Sequence, residues 1–80
     1  MKPQARPDRP EPAAARRILE NAVNRVDLVR ADLNTVLREL SPDVPLFAVV
    51  DLVTALGHLR QAAVLVDGVA DALEAVEVRR

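Results

Sequence analysis

Apolar residues recur at helical spacing over most of the chain after the proline-rich start. In the first half they repeat every seven residues in steps of three and four, which is typical of a helix packed along one seam. The seam residues are Leu19, Ala22, Val26, Val29, Leu33, Val36 and Leu40. Ile18, Val23 and Leu37 broaden this stripe to the width expected in a helix bundle. The pattern predicts helix 1 over about residues 12–40, in a coiled-coil-like seam.

The side of helix 1 opposite to this seam is polar. Its residues are Arg16, Glu20, Asn24, Asp27, Ala31, Asn34 and Arg38. Because Glu20 and Asp27 are not followed by a basic residue four positions later, we expect this side to be solvated without ion pairs along the helix.

The segment Ser41-Pro42-Asp43-Val44-Pro45 is the clearest break in the chain. Each proline disfavours helical geometry at the residue before it. A connection this short makes two long helices antiparallel neighbours. The sequence therefore predicts an all-α fold, an antiparallel two-helix hairpin.

Helix 2, predicted over about residues 45–78, is apolar on more than one side. Its main stripe is Val49, Leu52, Leu56, Leu59, Ala63, Val66, Ala70 and Leu73. A second line follows Phe47, Val50, Thr54, Gly57, Gln61, Val64, Leu65, Gly68 and Ala72. One helix can cover only one stripe, so helix 1 cannot also cover the second line.

Two glycines interrupt helix 2. A glycine inside a helix costs about 1 kcal/mol relative to alanine, so Gly57 and Gly68 need a reason, such as the close approach of another backbone. The alternative is a turn at Asp67-Gly68 that would start a short third helix. The main stripe passes through Gly68 in phase, which favours one continuous helix.

The size of the chain predicts association. The 80 residues make one small domain, with a tail at 1–12 and the hairpin at 13–80. The tail has four prolines among charged residues, a composition typical of disorder. Small domains need staples or partners, and the sequence has no cysteine. We therefore expect the hairpin to dimerise into a four-helix bundle, with Phe47, Val50, Gly57, Val64, Leu65 and Gly68 as its partner or dimer surface.

Candidate chemistry is sparse. A single histidine, His58, cannot form a histidine metal site by itself, and the carboxylates lack the Glu-x-x-His spacing of ferritin-like sites. The sequence has no phosphate-binding loop or zinc spacing, and Ser41 is its one serine. We expect no catalytic, cofactor or metal site, and hence no enzyme.

The net charge is −1, but its distribution is uneven. Residues 1–17 hold five basic and two acidic side chains, whereas residues 41–80 hold three basic and six acidic ones. This distribution supports one of two functions that the sequence leaves open, and it is the alternative to the leading hypothesis given below. It is a small dimeric bacterial transcription regulator or antitoxin-like protein that binds DNA through a basic N-terminal arm. Its candidate contacts are Arg6, Arg9, Arg16 and Arg17.

No stretch of the sequence is typical of a secretion signal or of an uninterrupted membrane span. The N-terminal stretch has no apolar signal core, and Asp51, Arg60 and Asp67 interrupt the best membrane-span candidate. We expect a cytoplasmic protein with no membrane partner, and the Ala/Val/Leu/Arg-rich composition predicts a GC-rich bacterial source. The leading hypothesis is a small non-enzymatic helical interaction or oligomerisation module, an adaptor or regulator that binds itself and a partner protein helix.

Overall fold

The computed structural model describes residues 11–79, and the side chains of residues 11–78. This part of the chain forms α1, Pro12–Glu39, and α2, Leu46–Arg79, which pack against each other. At about 1.5 Å per residue, α1 is about 42 Å long and α2 about 51 Å. The predicted all-α hairpin is confirmed. The tail prediction falls mainly on residues 1–10, which lie outside the described residues.

The ends of α1 follow from local chemistry. Pro12 stands in the first turn, where its missing N–H would have no helical partner, and the Ala15 N–H donates to the carbonyl oxygen of Glu11 at 2.8 Å. At the other end Leu40 is extended, with ψ at 138°. Pro42 then keeps the chain out of helical geometry at Ser41.

The connection between the helices is held by Ser41. Its hydroxyl oxygen accepts a hydrogen bond from the Asp43 N–H at 3.1 Å, and its carbonyl oxygen accepts one from the Val44 N–H at 3.1 Å. The Ala48 N–H donates to the carbonyl oxygen of Pro45 at 3.0 Å, which begins α2. These bonds close a tight turn, so the chain returns beside α1.

α2 runs through Gly68 without a break. The alternative of a turn at Asp67-Gly68 with a short third helix is therefore wrong. The physical reason is the packing of the stripe on both sides of the glycine, because Val66, Ala70 and Leu73 all face α1 when the helix continues in phase.

The side of α2 that faces α1 is the predicted main stripe. Every member of that stripe is half-buried or buried, whereas its neighbours on the outward side are exposed. Ala63 and Ala70 are the two buried residues of the described chain, at 7% and 4% exposure. The seam is thus centred on two small side chains, which allow the helix axes to approach closely.

The predicted seam of α1 needs a correction. Leu19, Ala22, Val26, Leu33 and Leu40 are half-buried as expected, but Val29 and Val36 are 47% and 48% exposed. The second row of the seam lies one residue later. It consists of Val23, Arg30 and Leu37, all half-buried. This row lies on the side of α1 that faces α2. Arg30 can be part of it because its aliphatic stem can pack against apolar neighbours while its charged end stays in water.

Arg30 keeps its charge at the edge of the seam. Its Nη1 donates to Oδ1 of Asp27 at 3.1 Å, three residues earlier on α1. Its Nε is buried and has no hydrogen-bond partner among the described residues. A buried donor without a partner costs roughly 1–3 kcal/mol, so we expect this nitrogen to lower the stability of the hairpin.

An ion pair joins the two helices at the open end of the hairpin. Nε of Arg16 donates to Oε1 of Glu77 at 2.9 Å, and Nη1 of Arg16 lies 3.2 Å from Oε2 of Glu20. The prediction of a polar side without ion pairs along α1 is therefore wrong. That prediction considered the partners that follow Glu20 and Asp27, whereas Arg16 precedes Glu20 by four residues.

Candidate interaction surface

The six residues predicted as a partner surface lie along the outward side of α2, and we call them the outer line. Four have large side chains, and their exposed fractions are 70% for Phe47, 52% for Val50, 59% for Val64 and 60% for Leu65. The other two, Gly57 and Gly68, are also exposed. The structure thus brings these residues to one side of a single helix.

The two glycines of the outer line are not required by packing within the hairpin. A Cβ atom added at Gly57 or at Gly68 would meet no neighbouring atom within 4 Å. Both lie in regular helix without a positive φ, so the backbone does not require glycine either. The open space leaves room for the backbone of another helix.

A second set of apolar residues, half-buried or exposed, becomes visible only when both helices are considered. In each helix the seam residues are spaced alternately by three and four positions, as are Val23, Val26 and Arg30 of α1. The residue that directly precedes each three-residue step, such as Ala22 before Val23, lies beside the seam, and we call this side one flank of the helix. An antiparallel pair has an approximate two-fold axis perpendicular to the plane of its two helices. This axis relates equivalent flanks on the same side of that plane, so the flank residues of α1 and α2 share one broad face of the hairpin.

We call this side the broad apolar face. Its flank residues are Ala15, Ala22, Val29 and Val36 on α1 and Ala48, Ala55, Ala62, Val69 and Val76 on α2. The valines are between 43% and 51% exposed, and Ile18 beside them is 54% exposed. Sequence reasoning missed this face because it placed Val29 and Val36 in the seam. The recurrence of Ala and Val just before each three-residue step was the available signal.

The other side of the hairpin is the broad polar face. It is formed by the residues just after each three-residue step, which are exposed except Ala13. They are Ala13, Glu20, Asp27 and Asn34 on α1 and Val53, Arg60, Asp67 and Glu74 on α2. Charged and amide side chains predominate here, so water can cover this face at little cost.

The predicted nucleic-acid contacts are placed only in part. Arg6 and Arg9 lie outside the described residues, and Arg17 is exposed on α1. Arg16 is held by two carboxylates, and its hydrogen bond to Glu77, followed by that to Glu20, raises the pKa of the guanidinium above its usual value. A phosphate would have to compete with both carboxylates for Arg16.

Most titratable side chains of α2 are exposed to solvent. Asp51 and His58 are exposed near one edge, and Asp67 is exposed on the broad polar face. Within residues 11–78, no group of three or more His, Asp or Glu side chains is placed to hold a metal ion. The hairpin also has no pocket in the part that the structure describes.

α2 has the length and composition of a membrane span. Residues Leu46–Val78 have a mean hydropathy of 1.4 over their most apolar window, and 6% of that window is buried within the hairpin. Asp51, Arg60 and Asp67 interrupt the apolar sequence of this helix, but its most apolar 18-residue window contains only two charged residues. By length and composition alone, this helix could cross a membrane.

Comparison of the chain with protein-family models, with curated proteins and with solved structures gives no match. The function must therefore be inferred from the surfaces of the hairpin.

Proposed function

We propose that this protein is a small non-enzymatic module that acts by helix association, both with itself and with a helix of a partner protein. The observation that carries the proposal is the imbalance of burial in the hairpin. Among the described residues two alanines are buried, whereas thirteen large apolar side chains are 43–79% exposed. A folded chain that leaves so much apolar surface in water is stabilised when another surface covers it.

Self-association gives a four-helix bundle in this proposal. Two hairpins whose helices are about 42 and 51 Å long can align side by side over most of their length. Cyclic dimers are the most frequent closed assemblies, and they bury the same patch on both copies. Completing the burial of one half-exposed valine contributes roughly 1 kcal/mol, so several valines together can support a stable dimer.

The outer line is the proposed contact for a partner protein helix. Phe47, Val64 and Leu65 supply the large side chains, while Gly57 and Gly68 leave room for a close backbone approach. An amphipathic helix laid along this line would bury anchors spaced by three, four and seven residues. The module would then be an adaptor or regulator, and we propose a cytoplasmic location for it.

The first test is the mass of the intact protein in solution, measured by light scattering over a range of concentrations. We expect a mass of two chains or more that falls toward one chain on dilution. A single chain at all concentrations, with the circular dichroism of a folded helix, would contradict the proposal.

A point variant tests whether apolar contacts cause the association. Leu65→Asp places a charge among the exposed apolar side chains of α2, so we expect it to shift the protein toward monomer. Asn24→Asp places the same charge at an exposed position of α1 and should leave the mass unchanged. If both variants keep the size of the parent, the contact surface does not include Leu65.

A further inference from the structure

The side chains of the broad apolar face fit a second layer of helices. A helix in a two-stranded pair needs apolar residues in two rows, whereas a helix in a bundle needs a third row beside them. Here the third row is Ala or Val at every position of α1 and α2, and it lies on the same broad face in both helices. Narrow side chains let two such layers approach closely.

The contrast with the broad polar face limits the assembly to two layers. The corresponding row on that face contains Asp27, Arg60 and Asp67, which remain hydrated. A hairpin with one apolar broad face can be covered once, and a copy that presents the same face completes the assembly.

We propose that a second copy of this chain packs on the broad apolar face, each helix antiparallel to its counterpart, about a two-fold axis near Val29 and Leu65. The proposal rests on the proposed function, because it assumes that the chain associates with itself. The ion pair between Arg16 and Glu77 places these two residues at the same height along the helix axes. Counting thirteen residues inward from each places Val29 opposite Val64, next to Leu65.

Charges at the rim of the face select this axis. Arg25 and Asp32 lie on α1 at the outer edge of the broad apolar face, and neither has an ion-pair partner among the described residues. The midpoint between Arg25 and Asp32 along α1 falls between Leu28 and Val29. An antiparallel copy centred there places Arg25 beside Asp32 of the second copy, twice in each dimer.

The other two-fold arrangement is less favourable for charge. A two-fold axis parallel to the helices would pack α1 of one copy on α2 of the other. Each residue would keep its height along the helix direction. Glu39 would then lie close to the level of Asp51 of the second copy, and both are acidic residues at the same edge of the face. It would also leave Arg25 without an acidic residue across the contact.

The area of the face is sufficient for a stable dimer. It is about 42 Å long and about 20 Å wide if the helix axes are roughly 10 Å apart, which gives about 800 Å² for each copy. Stable protein interfaces of standard size bury about 800 Å² on each partner.

A matched pair of valines tests which face is covered. Val69 on the broad apolar face and Val53 on the broad polar face are both 51% exposed in the same helix. We expect Val69→Glu to raise the dimer dissociation constant of the full chain about 100-fold, since two valines are lost per dimer. Val53→Glu should leave it within about two-fold, since solvent-exposed substitutions have small effects. Sedimentation measures the constant, and circular dichroism of both variants checks that each remains helical.

Exchange of the rim charges tests the orientation and does not depend on the fold of the Val69 variant. Arg25→Asp and Asp32→Arg should each raise the dissociation constant about five-fold at low salt, and the double variant should restore it. Double-variant affinity no better than that of the weaker single variant would exclude the antiparallel axis.

The two proposals fail in different ways. A parent protein that is always one chain overturns the proposed self-association. A dimeric parent that tolerates Val69→Glu, or that dissociates equally with Val53→Glu, overturns only the assignment of the face. A monomeric parent that floats with neutral phosphatidylcholine vesicles identifies a lipid surface as the occupant, and this outcome also overturns the inference.

Discussion

The two broad faces of the hairpin differ in composition, although the residues of both faces lie directly beside the same seam. On one face these positions hold Ala and Val throughout, and on the other they are mostly charged or amide side chains. The valines of the apolar face are 43–51% exposed, because the single partner helix in the hairpin covers only the seam. The difference shows that a two-helix chain can specify a partner on one side and exclude it from the other.

The largest effect is expected when the polar face is made apolar. Arg60→Val together with Asp67→Val removes one charge of each sign, so the net charge of the chain is unchanged. The row on α2 would then hold valine at three successive positions, 53, 60 and 67, and we expect assemblies larger than the dimer that grow with concentration. Light scattering measures their mass.

The matched control adds two valines elsewhere. Asn21→Val with Asn24→Val also keeps the net charge, and both positions are exposed on α1 away from the two α2 residues. This variant should retain the size of the parent. If the Arg60 and Asp67 variant also remains dimeric, the polar face does not act as a barrier to further association.

An intermediate effect is expected at the glycines of the outer line. Gly57→Ala and Gly68→Ala should each raise the free energy of unfolding by about 1 kcal/mol, because alanine favours the helix and the added Cβ meets open space. Urea unfolding measures the gain, and Ala72→Gly, at an exposed position of α2, should lose a similar amount.

The same glycine variants separate the outer line from the broad apolar face. If the copies associate through the broad apolar face, the dimer dissociation constant should not rise in the alanine variants. A rise would indicate instead that the glycines lie in the contact between copies, and the distinction between the two surfaces would be lost.

An effect no larger than that at either glycine is expected at Arg30, a charged residue within the seam. Arg30→Leu removes the buried Nε that has no partner and adds apolar contact, so we expect a gain of about 1 kcal/mol in the free energy of unfolding. Arg38→Leu, at an exposed position of α1, should change it by less than about 0.5 kcal/mol. Thermal unfolding compares the two. A loss at Arg30 would mean that its hydrogen bond to Asp27 outweighs the buried nitrogen.

Much of the hairpin could be predicted from the sequence because its determinants are local. Pro42 and Pro45 interrupt helical geometry by their covalent structure, and their positions fixed the connection. The main stripe of α2 was also predicted, since its apolar residues recur in phase through Gly68. Such features depend on residues that are near one another in the chain.

The second row of α1 could not be predicted in the same way. Val29 and Val36 are apolar and Arg30 is charged, so a pattern of polarity assigns the valines to the seam. In the structure the row contains Arg30, because the position of α2 decides which side of α1 is covered. The candidate surface changed with it, since the valines left outside the seam form the broad apolar face.

The sequence by itself determined two long helices, the turn between them and an excess of apolar surface on α2, because propensity, proline geometry and periodicity act over a few residues. Only the tertiary structure decided the register that pairs Arg16 with Glu77, 61 residues apart, and the broad face on which both helices place their exposed valines. The physical reason is that register and facing depend on how two helices rotate and slide against each other. That choice minimises the free energy of the whole seam and is not encoded in either helix alone.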